Sequence, residues 1–197
     1  MTRGFTSDLI RSRSLMGYGQ LVRQLGGDPE SLLKRFGLEA VLDGDGDSLI
    51  PYTSRLRLLE TTAATLQCPD FGLRLAQKQD LSLLGPLALI AQNSRTAAQA
   101  ISAVVRAFNY HSGITRVGLD QDASPHMSRL TFSVFVEGFP QRRQSIEQTL
   151  GLMLIGLRQL LGTAFTPDHV LLRHDAGMPS RLYRRWFSCP VLFCQDV

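Results

Sequence analysis

Val170-Leu171-Leu172-Arg173-His174-Asp175-Ala176-Gly177-Met178-Pro179-Ser180-Arg181-Leu182-Tyr183-Arg184-Arg185-Trp186-Phe187-Ser188-Cys189-Pro190-Val191-Leu192-Phe193 is the stretch on which the fold turns. It opens on a short apolar run, breaks at Gly177 and Pro179, carries one helical piece rich in aromatics, and closes on a second apolar run begun by Cys189-Pro190. This order reads as strand, turn, helix, strand. No nucleophile or metal cluster falls within it. Trp186, the only tryptophan, is expected to face the sheet while Arg184 and Arg185 face water, so that truncating it should unfold this lobe.

Upstream, the periodicity is helical first and mixed later. Leu15, Tyr18, Leu21, Val22 and Leu25 recur at helical spacing and stop at Gly26-Gly27. Asp28-Pro29 is an N-cap and first-turn pair for a short helix through Leu32, Leu33 and Phe36, ended by Gly37. Leu56, Leu59, Ala63 and Leu66 form the stripe of another helix, which Pro69 closes. Residues 81–91 predict a nearly all-apolar, buried helix. Asn93 or Ser94 then caps a helix with Ala97, Ile101, Val104, Val105 and Phe108 on its stripe.

The period changes after residues 111–113. Residues 115–119 and 128–136 are β-rich and flank a turn over 120–126, which predicts an antiparallel hairpin. Pro140 opens a long helix with Ile146, Leu150, Met153, Leu157 and Leu161 on one face. Residues 169–173, 180–187 and 191–193 finish the chain as strand, helix and strand. The expected class is α+β: an N-terminal helical lobe, then a mixed lobe with a β-hairpin, a long helix and two further short strands. The whole of 1–197 is expected to form a single domain, a size that buries about 70% of the unfolded surface.

The composition excludes several classes. Hydrophobic residues make up 44% and charged ones 19%, as in an ordinary globular protein. No run reaches the ~18 apolar residues that span a bilayer, and no apolar stretch follows Arg3, Arg11 and Arg13 as a secretory signal would require. Cys68, Cys189 and Cys194 are odd in number and lack metal-ligand spacing, which points to a reduced, cytoplasmic setting. The net charge of +4 is spread over small arginine groups rather than one dense run, and no helix-turn-helix is visible.

Each chemical constellation has a plainer reading beside it. Asp43, Asp45 and Asp47 match the first offsets of a calcium loop, but Ser48 and Ser54 stand where its glycine and bidentate glutamate belong, so a solvated turn is expected. His169 and His174 would point to opposite faces of a strand and cannot share a metal. Cys189 lacks an activating neighbour and reads as a packed thiol. Ser82, Ser94 and Ser102 have no nucleophile elbow. No metal, cofactor or catalytic residue is therefore expected, and the chain is read as not an enzyme.

The most site-like segment is Arg106-Ala107-Phe108-Asn109-Tyr110-His111, where a helix meets the hairpin. Arg106, Phe108, Tyr110 and His111 are the candidate ligand-binding residues: apolar lining plus a few convergent polar groups make a pocket, and a guanidinium can hold a carboxylate bidentately. The alternatives are that Arg106 faces solvent and that His111 only caps the helix dipole.

The 170–193 stretch, in order and spacing, resembles the end of the N-terminal effector domain of AraC/XylS-type transcription regulators, in the branch with a long α/β sensor rather than a cupin barrel. Three further segments carry the resemblance: Ile50-Pro51 with the following helix and Cys68-Pro69-Asp70-Phe71-Gly72-Leu73-Arg74-Leu75-Ala76; Leu83-Leu84-Gly85-Pro86-Leu87-Ala88 through Asn93-Ser94-Arg95-Thr96-Ala97-Ala98-Gln99-Ala100-Ile101; and Arg106 to His111. Together they span residues 17–193 in the family's order. The resemblance implies an effector-sensing and dimerising domain. Its partners would be a small molecule, a second copy of the chain, and promoter DNA only through a helix-turn-helix domain beyond residue 197. The Arg106 segment makes an amphipathic carboxylate the candidate ligand, and helix 141–161 is the candidate dimer interface, its apolar face reading equally as core. Two other readings stand beside it: an interaction module that heterodimerises with a full-length regulator and inhibits it, and a small α/β enzyme.

Overall fold

Glycines and one proline cut the N-terminal part of the chain into short helices, as the punctuation predicts. In the computed structural model, the described residues are 9–42, 44, 46–80, 83, 89, 93–111, 114–124, 127–136 and 142–196, without the side chains of 109–111 and 122–124. Helix α1 (Tyr18–Gln24) ends before Gly26, whose φ of +81° only glycine adopts without strain. Helix α2 (Pro29–Lys34) starts where Asp28 accepts the Ser31 N–H at 3.2 Å, with Pro29 in the first turn. Helices α3 (Tyr52–Thr65) and α4 (Phe71–Ala76) follow.

Strands β1 (Leu9–Arg11) and β2 (Leu49–Pro51) pair antiparallel around Ile10 and Ile50. Helix α5 (Ala97–His111) leads into β3 (Thr115–Ser124) and β4 (Met127–Val134), an antiparallel hairpin. Helix α6 (Arg143–Leu161), β5 (Val170–Leu171), α7 (Ser180–Phe187) and β6 (Val191–Leu192) complete the order, with β5 and β6 parallel. The fold is α+β, with three separate two-stranded sheets among the described residues.

The chain divides into two compact units, Met1–Gln79 with Val136–Gln148, and Asp80–Phe135 with Thr149–Val197. The first is built on one apolar core that includes Tyr18, Val22, Leu33, Leu59 and Phe71. Tyr18 meets Phe71 edge to face at 5.8 Å, and its hydroxyl lies 2.7 Å from Thr62 Oγ1. Burial pushes the Tyr18 phenol up to about 12, against the opposing hydrogen bond from Thr62.

The folded phenol thus resists ionisation more than an unfolded one. Its contribution is complete below pH 10 and is lost as pH rises through about 12. Two pK units correspond to roughly 3 kcal/mol. Tyr18→Phe should flatten the alkaline limb of the stability–pH curve; urea midpoints taken from pH 9 to 12 on both proteins check this.

Residues 143–148 of α6 belong to the first unit, and here the structure departs from the amphipathic helix expected of the sequence. Gln144, Ser145, Glu147 and Gln148 are buried. The inward face of these turns is polar because partners meet every group. Gln144 takes the Gly72 N–H on Oε1 at 2.7 Å, donates Nε2 to the Pro69 carbonyl at 2.9 Å, and donates its backbone N–H to Glu60 Oε1 at 2.7 Å. Gln148 Nε2 donates to the Ser14 carbonyl at 3.0 Å and to Gln79 Oε1 at 2.9 Å. The helix begins at Arg143, and Pro140, its expected opener, lies outside the described residues.

In the second unit, α5 packs on β3. Its cap is Thr96, whose Oγ1 accepts the Gln99 N–H at 3.2 Å, rather than Asn93 or Ser94. The hairpin runs further than expected: residues 120–124 continue β3, with an irregular register between Asp120 and Ser124. Around α7 the buried aromatics are Tyr183 and Phe187, at 0% and 1% exposure. Tyr183 meets Phe193 edge to face at 4.9 Å, and its hydroxyl accepts the Gly177 N–H at 3.1 Å. Trp186 is only half-buried, so the anchoring role assigned to it belongs to its two neighbours. The reason is helical spacing: at 100° per residue Tyr183 and Phe187 lie about 40° apart at the middle of the buried face, whereas Trp186 stands about 100° from Phe187, at that face's edge.

The expected helix over 81–91 lies almost wholly outside the described residues, as do Asp43 and Asp45 of the polar turn. Asp47 is held by Arg11 at 3.2 Å and by Arg13, so its carboxylate fastens the β1–β2 region.

Candidate functional site

Helix α5 and strand β3 border two adjoining clefts of about 400 Å³ each, both widely open to solvent. The first is lined by Ser94, Ala98, Gln99, Ser102, Ala103, Arg106 and Gln121. The second takes Ser102, Val105, Arg106, Leu119, Asp120 and Gln121. Arg106, Ser102 and Gln121 belong to both. Helical spacing explains the set: Ser102 and Gln99 lie four and seven residues before Arg106 and share its face. Gln121 and Asp120 come from β3, where the register becomes irregular.

Of the four residues singled out in the sequence, Arg106 lines both clefts. Phe108 is two positions on, across the helix from Arg106, and is among the lining residues of neither cleft. Tyr110 and His111 occupy the last turn of α5, but their side chains lie outside the described residues. The walls that are described combine hydroxyls, amides and the Arg106 guanidinium with alanine surfaces in the first cleft, and add the Asp120 carboxylate, Val105 and Leu119 in the second. Gln99, Ser102 and Gln121 carry no motif, so only the helix face and strand register reveal them.

This lining suits reversible binding. Hydroxyls and amides both donate and accept, and Arg106 adds a fixed positive charge that a carboxylate can meet with two parallel hydrogen bonds. Among the described residues, no histidine or cysteine lines either cleft. All three cysteines are free: burial pushes the Cys68 thiol up to about 11 and raises Cys189 as well, which keeps both protonated. Among the described residues, no group of three metal-ligating side chains comes together. No helix among them is long and apolar enough to cross a membrane.

The chain is α+β, with clefts beside its hairpin that Arg106 lines. The family model that it matches, over residues 26–197, is the arabinose-binding domain of AraC transcription regulator, N-terminal. The chain belongs to this family. It is similar to the HTH-type transcriptional regulator VirS of Mycobacterium tuberculosis, in strains CDC 1551 / Oshkosh and ATCC 25618 / H37Rv. Each is 34% identical over 190 residues, which is 94% of this chain and 54% of that protein. The chain thus spans about half the length of the curated relatives it matches.

Proposed function

We propose that this chain senses a small molecule for a transcription regulator, with DNA recognition carried by a helix-turn-helix domain beyond residue 197. The cleft shared by α5 and β3, with Arg106 on its wall, is the observation that supports a ligand site. The family and the HTH-type relative support the regulatory role. An acidic small molecule fits the first cleft, which Asp120 does not line, with its carboxylate on Arg106 and its polar groups on Ser102, Gln99 and Gln121. Tyr110 and His111, on the last turn of the same helix, complete the proposed binding set, and Phe108 supports it from the helix's other face. The protein would work as a homodimer in the cytoplasm, since two-fold pairing matches a two-fold operator. A ligand that binds one packing state of this domain more tightly shifts the regulator between states by that difference in affinity.

Titration calorimetry against a panel of small carboxylic acids tests this. A ligand is expected to bind with micromolar or better affinity, and Arg106→Ala to weaken it by about 1.5–3 kcal/mol, the range for a charge-assisted hydrogen bond. Arg106 is exposed, so the melting temperature should not move. A variant that binds like the parent removes Arg106 from the site.

A further inference from the structure

Helix α7 presents two unlike faces. Tyr183 and Phe187 fasten one face into its unit, Ser188 closes the helix in the left-handed region with φ +62°, and Arg158 donates to the Ser188 hydroxyl at 3.1 Å. The other face carries Arg181, Arg184 and Arg185, all exposed, at spacings of three and four residues. At 100° per residue these three fall within an arc of roughly 100°. Among the described residues, none of them forms an ion pair.

Like charges at this spacing repel each other along a helix. Arg184 and Arg185 recover something from the negative end of the helix dipole, since both lie in the last turn. Arg181 does not. It sits in the first turn, beside the positive end, where a cation is disfavoured and where no acidic residue offsets it. Helix stability therefore does not account for the triad, whereas a polyanion laid along the helix satisfies all three guanidinia. The surface is prearranged, because the aromatic face holds the helix in place.

We infer that the Arg181–Arg184–Arg185 face of α7 contacts the phosphate backbone of duplex DNA without reading its sequence. DNA is the polyanion that a transcription regulator meets, so the inference rests on the regulatory reading above, though not on the ligand cleft. From Arg181 to Arg185 the helix rises about 6 Å, and one DNA strand presents a phosphate every ~3.4 Å along its axis. Three flexible guanidinia on that rise can reach two or three successive phosphates. The role would be to add affinity and hold orientation, as backbone contacts do, leaving base recognition to another domain.

The test is the salt dependence of binding by the full 197-residue chain to a fluorescent random-sequence duplex, followed by anisotropy between 20 and 200 mM salt. The combined Arg181→Gln, Arg184→Gln, Arg185→Gln variant should show a slope of log K against log salt shallower by about 1.8–2.7, which is two or three phosphates at ~0.9 each. A charge-matched control, Lys34→Gln with Arg35→Gln and Arg95→Gln, should keep the parent's slope, since these exposed residues lie elsewhere. Melting temperatures of both variants should equal the parent's.

No binding by the parent, or an equal fall in both variants, overturns the inference and leaves only net charge at work. Tighter binding at equal salt to polyglutamate or to anionic phosphatidylserine vesicles also overturns it, in favour of an acidic protein or a membrane. An Arg106→Ala variant that still binds the carboxylate like the parent would sink the ligand site alone, because its salt slope on DNA is a separate readout.

Discussion

Gly72→Ala is expected to lower the stability of the first unit by about 3 kcal/mol or more, the class of effect produced by overpacking together with broken buried hydrogen bonds. A Cβ on residue 72 would stand 2.1 Å from the Gln144 backbone oxygen and 2.9 Å from its carbonyl carbon. These atoms belong to the main chain of α6 and cannot rotate aside as the tip of a side chain can. Helix α4 and the first turn of α6 would have to separate. That movement breaks the Gly72 N–H bond to Gln144 Oε1, and with it the bonds from Gln144 to Pro69 and Glu60.

A competing effect has the opposite sign. Alanine in a helix is better than glycine by about 1 kcal/mol. The clash and the lost hydrogen bonds, at ~1–3 kcal/mol for each buried group left unpaired, outweigh it. In a chain of this length each kcal/mol moves the melting point by about 2–4 °C, so the expected fall is roughly 6–12 °C. A melting point that is unchanged or higher would mean that propensity wins and that the helices do not approach so closely.

Gly72 also illustrates what the sequence discloses and what it withholds. The segment from Cys68 to Ala76 stands out as an ordered motif, yet nothing in it says that Gly72 faces Gln144, which is 72 residues away. Local punctuation was legible throughout: Gly26, Asp28-Pro29 and Gly37 mark the limits of α1 and α2, and residues 180–187 and 191–193 read correctly as helix and strand. The strands β1 and β2 escaped, because three-residue strands carry too few positions for alternation to show. The polar inner face of residues 144–148 escaped for another reason. Gln144, Ser145, Glu147 and Gln148 look like a solvated face until their distant partners are known. At the cleft, Arg106 was legible as a charged residue at a helix–hairpin junction, whereas Gln99, Ser102 and Gln121 have no local signature.

Arg55 is the extreme case of a residue that sequence alone would place in water, and it carries the second large effect. It is 3% exposed. Its guanidinium donates to Ser145 Oγ at 2.7 Å and to Gln148 Oε1 at 2.6 Å, lies 5.6 Å from the centre of the Tyr52 ring, and leaves Nε without a partner. Desolvation lowers its pKa, against a weaker opposing contribution from Tyr52. Arg55→Ala should cost about 3 kcal/mol or more: emptying a large buried side chain takes ~2–5 kcal/mol, and Gln148 Oε1 loses its donor at ~1–3 kcal/mol. Relief from burying the charge offsets part of this. Ser145 suffers less, since the Tyr52 hydroxyl stands 3.3 Å from its Oγ and can replace the guanidinium.

Arg55→Met separates volume from charge. It refills most of the space and removes a buried cation to which no carboxylate is hydrogen-bonded, so it should recover at least ~2 kcal/mol of the alanine loss, because apolar replacements of buried ions are often neutral or stabilising. Urea unfolding of both variants decides the matter. If methionine destabilises as much as alanine, the hydrogen bonds to α6 outweigh packing, and the guanidinium is the indispensable part of the side chain. If methionine equals or exceeds the parent, the first unit retains a charged group in its core at a net cost to its own stability.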